Sequence, residues 1–290
     1  MFSDFHGPSF ANNLYQVAAQ AGRYDASLGD RSPWDVPQAG NGYWGCDDPT
    51  WTKVKMIDPR NAKSTAWPCF DFRGLPNVLS EYGVSWAMYT DPTKKQNIHN
   101  VMDALTPIRN DPVMWSNVRD LSEFLPDVQA GTLPAVSWLN SPVNDHPPNS
   151  ICKGENDAVT YVNAIMNSPL WSSTAIVIQY DEWGGFYDHV PPPQINNLSY
   201  GFRVPLMVIS PWTKYGTRPD GGYISHRFYT NASFVRFVED NWQLPGLGAA
   251  DASANGYGDF FDYSQTPKPP LVLTLRSCPK SDRPWIAEGD

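Results

Sequence analysis

Apolar and polar positions along this chain follow two periods, one helical and one of strands. In "NLYQVAAQAG" (13–22), Leu14, Val17, Ala18 and Ala21 fall on one helical face. That spacing predicts a helix ending at Gly22, a residue suited to the position after a helix. "LPNVLSEYG" (75–83) reads as a short helix leading into a strand, "VSWAMY", and further helices are expected in 95–105 and near 117–126. "LPAVSWL" (133–139) reads as a strand, and "NDAVTYVNAIM" (156–166) as a helix with Val159, Val162 and Met166 in register. "TAIVIQY" (174–180) and "VPLMVIS" (204–210) are continuously apolar, as strands are when both faces of a sheet are covered. "NASFVRFVEDNW" (231–242) closes the series as a helix. Residues 30–72, rich in Pro, Gly, Trp and Asp, read mostly as loop, and the tail after Gly246 as irregular. With neither internal repeat nor flexible linker, the alternation predicts one α/β domain over 1–290.

The composition agrees. An apolar share of 41% in 290 residues supports a sizeable core, while 28 prolines, 21 glycines and 12 tryptophans imply long, ordered, aromatic-rich loops. The net charge of −9, with no run of Lys or Arg, argues against a nucleic-acid surface. A small anionic substrate stays compatible if a metal supplies positive charge. The longest apolar runs are strand-sized, so no transmembrane segment is expected. "MFSDFHGPSF" has neither the basic nor the apolar region of an export signal. Cysteines at 46, 69, 152 and 278 lack zinc spacing. Their even number and wide spacing lean toward two bridges and an oxidising compartment, with three pairings open and buried free thiols as the alternative.

Four stretches carry candidate chemistry. In "YDEWGGFYDHVPPP", straight after "STAIVIQ", Asp181 and Glu182 stand at the carboxyl end of a strand, where ligands gather in open α/β sheets. Adjacent carboxylates repel unless a cation lies between them, and a hard divalent metal is the natural candidate; the plain alternative is two acids at a hydrated turn. His146, in "SPVNDHPPNS", sits on a proline-stiffened loop from which it can donate to a phosphate oxygen or a leaving group, or simply face solvent. Ser9, in "FHGPSFANNLY", falls at a helix start, where free N–H groups and the dipole favour an anion. It reads either as a nucleophile facing a metal or as an ordinary N-cap. His226, in "GYISHRFY", reads as structural or as a support to the site.

In order along the chain stand "HGPSFANNLY", "WGCDDP", "PCFDF", "DHPPNSICKGEN", "STAIVIQYDEWGGFYDHVPPP", "VPLMVISPW" and "YISHRFYTNASFVRFVEDNW". Together they resemble the bacterial phosphoesterase family of non-haemolytic phospholipases C and related acid phosphatases, a branch of the alkaline-phosphatase-like superfamily. The resemblance runs from about residue 5 to residue 280. It implies an α/β three-layer sandwich, with a mostly parallel central sheet flanked by helices. It also implies a metal-dependent hydrolase of phosphoric esters, on phospholipid head groups or simple monoesters. A sulfatase would need a CxPxR-like context, which "GPSFANN" lacks.

By the same resemblance Ser9 is the nucleophile and a metal contact, Asp181 and Glu182 bind a divalent ion (calcium-like or a transition metal), and His146 lies near the phosphate. Glu182 departs mildly from relatives that carry two aspartates there. Asp145, His189 and His226 are supporting or substrate-contacting candidates. Cys46 is implied to pair with Cys69, and Cys152 with Cys278. The resemblance, with the cysteines, implies a periplasmic or secreted location and calls for no protein partner. The family's leading strand, ending in a Glu-Asn pair, precedes the nucleophile by a long stretch, whereas eight residues precede Ser9 here. The chain is therefore expected to lack the family's N-terminal third and to be nearly inactive by itself. A degenerate paralogue keeping the fold as a binding domain is the alternative.

Overall fold

The computed structural model describes residues 1–25, 29–33, 44–91, 99–141, 143, 146, 149–196, 198, 200–217 and 221–279. Asp145 lies outside the described residues. In chain order the elements are α1 (Ser9–Ala18), β1 (Arg23–Asp25), β2 (Gly29–Pro33), β3 (Val54–Ile57), β4 (Lys63–Ala66), α2 (Leu75–Glu81) and β5 (Trp86–Thr90). There follow α3 (Thr106–Arg109), α4 (Pro112–Trp115), β6 (Val118–Asp120), α5 (Phe124–Ala130), β7 (Val136–Leu139), α6 (Ile151–Met166), β8 (Ile176–Gln179), β9 (Leu206–Ile209) and α7 (Ala232–Trp242).

The strands make three sheets. β6-β5-β7 is parallel, with Met88 opposite Val118 and Trp138. Helical connections between these strands permit that direction. β8 and β9 form an antiparallel pair, Val177 opposite Val208. β1-β2-β3-β4 is an antiparallel meander. α1 lies at the centre: Phe10, Leu14 and Val17 are fully buried against Leu75 and Leu79 of α2, Val235 and Val238 of α7, and Met102 and Leu105. Burying one such side chain contributes about 1.5–3 kcal/mol.

Several expectations need correction. α1 stops at Ala18, four residues before Gly22, because Ala19 takes the left-handed turn (φ 52°) and closes it with an N–H bond to the Tyr15 carbonyl. Part of 30–72 is the meander rather than loop; its Lys-Ser-Thr-Ala strand is exposed and shows no apolar alternation. The region near 117–126 begins as β6 and turns helical only at Leu121, where Asp120 accepts from the Ser122 N–H and caps a 3-10 turn that leads into α5. The described part of 95–105 is a single turn, Val101–Ala104. The expected mostly parallel sheet holds only for β5, β6 and β7. Among the described residues the connection from β8 to β9 holds no crossover helix, and the pair is antiparallel. β5 is buried throughout, whereas β8 and β9, expected to be covered on both faces, are not: every residue of β8 is half-buried and Met207 of β9 is exposed.

The cysteines pair as 46–69 and 152–278. The second bridge fixes the tail along α6. There Asn156 and Asn163 each donate to and accept from the backbone of Arg276 and Leu273, so two side chains imitate strand pairing.

Candidate active site

The site is assembled from three distant parts of the chain. First, Asn12, fully buried in α1, accepts from the Phe5 N–H and donates to the carbonyls of Phe5 and Gly7. This clamp shapes the approach to the helix, so Pro8 takes the N-cap position and Ser9 becomes the first helical residue. Proline has no side-chain acceptor, and the Ser9 hydroxyl, one position too late to cap, is left for other work. It donates to Glu182 Oε1 at 3.0 Å. The ordinary N-cap reading of Ser9 is therefore not what the chain adopts.

Second, β8 ends at Gln179 and the next residues leave the sheet. Asn231, fully buried at the start of α7, donates from Nδ2 to the carbonyls of Tyr180 (3.1 Å) and Asp181 (3.2 Å). Its Oδ1 accepts the Asp4 N–H at 2.9 Å, and Asp4 Oδ2 accepts the Ala232 N–H at 2.7 Å. One buried amide thus ties the N-terminal segment, α7 and the acidic turn together. Glycine closes the turn: Gly184 (φ 56°) and Gly185 (φ 86°) are both left-handed, which other residues adopt only at a cost. The Gly184 N–H donates to Glu182 Oε2 at 2.6 Å. Both oxygens of that carboxylate are therefore held.

Third, His146 reaches the same point from beyond β7. Its Cδ2 lies 3.9 Å from where a Cβ on Gly184 would stand, and its charge acts on both acids. Burial pushes the carboxyls of Asp181 and Glu182 above the ordinary range, and Asp181 raises Glu182 further. Hydrogen bonds from Ser9 and from backbone N–H groups oppose the rise without cancelling it. One half-buried and one buried carboxylate beside a hydroxyl make an oxygen-donor set that fits a hard cation. They supply part of a coordination shell: among the described residues no group of three or more His, Cys, Asp or Glu stands where it can hold a metal ion.

Ser9, Asp181, Glu182 and His146 are thus brought together. His189 is not: its side chain is 85% exposed, with Nδ1 3.8 Å from Asp188. Asp188 instead takes a bidentate pair from Arg203 at 2.6 and 2.9 Å, which holds its carboxyl well below the usual range. His226 is exposed in the loop before α7, with no hydrogen bond or ion pair to the two acids. Sequence reasoning missed Asn12, Asp4, Asn231 and Arg203. Asn231, before the apolar run of α7, carried the one readable signal, a polar residue at a helix start.

This is an α/β protein with its polar site at the carboxyl ends of strands, where a serine on a helix N-terminus meets a carboxylate pair. The chain belongs to the Phosphoesterase family, whose model matches residues 1–245. It is similar to "Phospholipase C A" of Mycobacterium tuberculosis, 30% identical over 50% of this chain and 35% of the relative. It is similar to "Hemolytic phospholipase C" of Pseudomonas aeruginosa, 25% identical over 95% of this chain and 41% of the relative. "Non-specific phospholipase C1" of Arabidopsis thaliana is 30% identical over 58% of this chain and 37% of the relative. The chain spans between a third and a half of the length of these relatives.

Proposed function

We propose that this chain hydrolyses phosphoric esters with Ser9 as the nucleophile, on the alkaline-phosphatase-like plan that the sequence motifs suggest. The observation that carries the reading is the Ser9 hydroxyl, first in α1 and hydrogen-bonded to Glu182. In that position the unpaired N–H groups of the first helical turn face the same space as the hydroxyl, ready to receive a phosphoryl oxygen. Ser9 Oγ attacks phosphorus and gives its proton to Glu182 Oε1, which already accepts its hydrogen bond, and from there to water. The bond from phosphorus to the leaving oxygen breaks, and that oxygen takes a proton, for which His146 is the donor in reach. Water then attacks the phosphoserine, the Oγ–P bond breaks, and Ser9 is restored with release of phosphate or a phosphomonoester. Asp181 and Glu182 are the residues that would hold a divalent cation. When bound, it neutralises their charge, eases ionisation of the hydroxyl and stabilises the transferring phosphoryl group. The substrate class is a small phosphoester or a phospholipid head group, and the two disulfides fit an oxidising, extracytoplasmic compartment.

A second reading is a binding domain that keeps the fold with little turnover. It is favoured by the incomplete ligand set among the described residues. Both are tested on p-nitrophenyl phosphate and its phosphocholine ester with added divalent metals. Weak metal-dependent turnover, abolished by Ser9→Ala and lowered further by Asp181→Asn, is the expected result. Turnover that survives Ser9→Ala overturns the nucleophile assignment, and binding of p-nitrophenyl phosphate without turnover selects the second reading.

A further inference from the structure

Between Cys46 and Cys69 the chain makes an excursion that is closed at its base. The disulfide joins the two ends, and just inside them Trp67 Nε1 donates to the Asp48 carbonyl at 3.0 Å. The excursion carries a basic segment in an acidic chain. Lys53, Lys55, Arg60 and Lys63 stand within residues 53–63 beside one acid, Asp58, whereas the whole chain has a net charge of −9. The acids at the base are turned elsewhere: Asp47 pairs with Arg109 at 2.6 Å, and Asp48 is buried. Asp58 fixes the tip, its Oδ1 accepting the N–H groups of Arg60 and Ala62, both at 2.9 Å.

Strand pairing gathers these cations on one face. β3 and β4 pair with Lys55 opposite Thr65 and Ile57 opposite Lys63. By the two-residue period those four side chains share a face, while Val54 and Met56, on the other, are sunk in the core. Lys53 continues the outward set, its Nζ donating to the Thr50 carbonyl at 2.9 Å. All four cations are exposed, and Arg60 and Lys63 make no ion pair among the described residues. The turn that holds Thr50 is closed by the Thr52 N–H on the Pro49 carbonyl at 2.8 Å. It presents Trp51, the one exposed tryptophan among the described residues, with 78% of its surface in water.

We propose that the β3–β4 hairpin docks on an anionic lipid bilayer, with Lys53, Lys55, Arg60 and Lys63 against lipid phosphates and Trp51 in the headgroup region. Charge complementarity argues for that occupant. A Lys or Arg held at an anionic membrane surface strengthens binding about fivefold. At physiological salt such charges act over about 8 Å, so the acidic remainder of the chain is largely screened. Trp51 argues for lipid over another polyanion, because its amphipathic ring favours a boundary between wet and apolar regions. A nucleic acid would call for a longer cationic track. The stapled base and fixed tip mean that little order is lost on docking. This surface goes beyond the proposed hydrolysis and depends on none of its steps.

The test is co-sedimentation of the purified chain with vesicles of phosphatidylcholine, alone or with about 30% phosphatidylglycerol. It is run on the parent and on Ser9→Ala, so that consumption of lipid cannot pass for lack of binding. The expected result is binding to the anionic vesicles, at least about tenfold weaker binding to the neutral ones, and loss of most binding between about 0.1 and 0.5 M salt. Lys55→Gln with Lys63→Gln should weaken binding about 30-fold. Arg73→Gln with Arg276→Gln, the same charge change at exposed positions elsewhere, should alter it little. Brominated acyl chains should quench the tryptophan fluorescence of the parent more than that of Trp51→Phe. These side chains are exposed, so the variants should fold. Thr65→Glu sets an opposing charge on the same face and serves if the lysine pair does not fold. Absence of binding, equal binding to both vesicles, or equal loss in the two double variants overturns the proposal. So does retention on heparin or duplex DNA without binding to vesicles, which assigns the face to another polyanion.

Discussion

Asn231→Ala should be the most damaging single-atom-scale change near the site, because one buried amide holds three backbone groups. Removing it strips the Tyr180 and Asp181 carbonyls of a donor and the Asp4 N–H of its acceptor, at a position with no solvent to replace them. A buried group left unsatisfied costs about 1–3 kcal/mol, and some relaxation is shared, so the loss should be about 3–5 kcal/mol. For a chain of this size that corresponds to a fall in Tm of about 6–15 °C. The assay is urea unfolding at equilibrium, followed by tryptophan fluorescence and far-ultraviolet circular dichroism with disulfides intact. The acidic turn should loosen before the fold does. Amide exchange at Glu182–Gly185 should therefore accelerate even under native conditions, together with any loss of turnover. A loss below about 1 kcal/mol, or an unchanged acidic turn, would refute the view that Asn231 sets the geometry of Asp181.

Stability should fall as pH rises from about 4 toward 8, the reverse of the usual carboxylate behaviour. Burial raises Asp4 from 3.8 to about 7 and Asp103 to about 8, so the folded state holds protons the unfolded state releases in that window, and ionisation at higher pH is resisted by the fold. Thermal melts across pH on Asp4→Asn should show a flatter slope than the parent, and an unchanged slope would count against Asp4. Gly184→Ala should cost about 1 kcal/mol through its left-handed backbone (φ 56°), with the new methyl touching His146 and Phe186. A neutral result by denaturant titration would mean the turn relaxes freely. Replacing both Cys152 and Cys278 by Ser should cost about 5 kcal/mol in the chain-entropy limit, since the bridge spans 126 residues, against about 3.5 kcal/mol for the 23-residue span of Cys46–Cys69. Equal losses for the two pairs would argue against a loop-entropy origin.

Local pattern carried much of this protein in the sequence. The apolar period of α1, α6 and α7, and the continuous runs of β8 and β9, depend on neighbours within one turn or one pleat, so they could be read directly. Asp181 and Glu182 were legible for the same reason: two acids cannot stay inside an apolar strand and must mark its end. Tertiary structure decided what covers those elements and which distant groups meet. The end of α1 at Ala19, the antiparallel return of β9 and the half-buried β8 rest on contacts that no window of the sequence contains. Ser9 is the sharpest case. Whether its hydroxyl caps a helix or reaches a carboxylate depends on a one-residue shift imposed by Asn12 and Pro8, and its partner Glu182 lies 173 residues away. Asn231 and Asp4 stayed invisible because their role is to satisfy buried backbone groups of other segments, and burial is a property of the assembled fold. The raised carboxyl pKa values arise likewise from loss of water around groups that the sequence can name but cannot enclose.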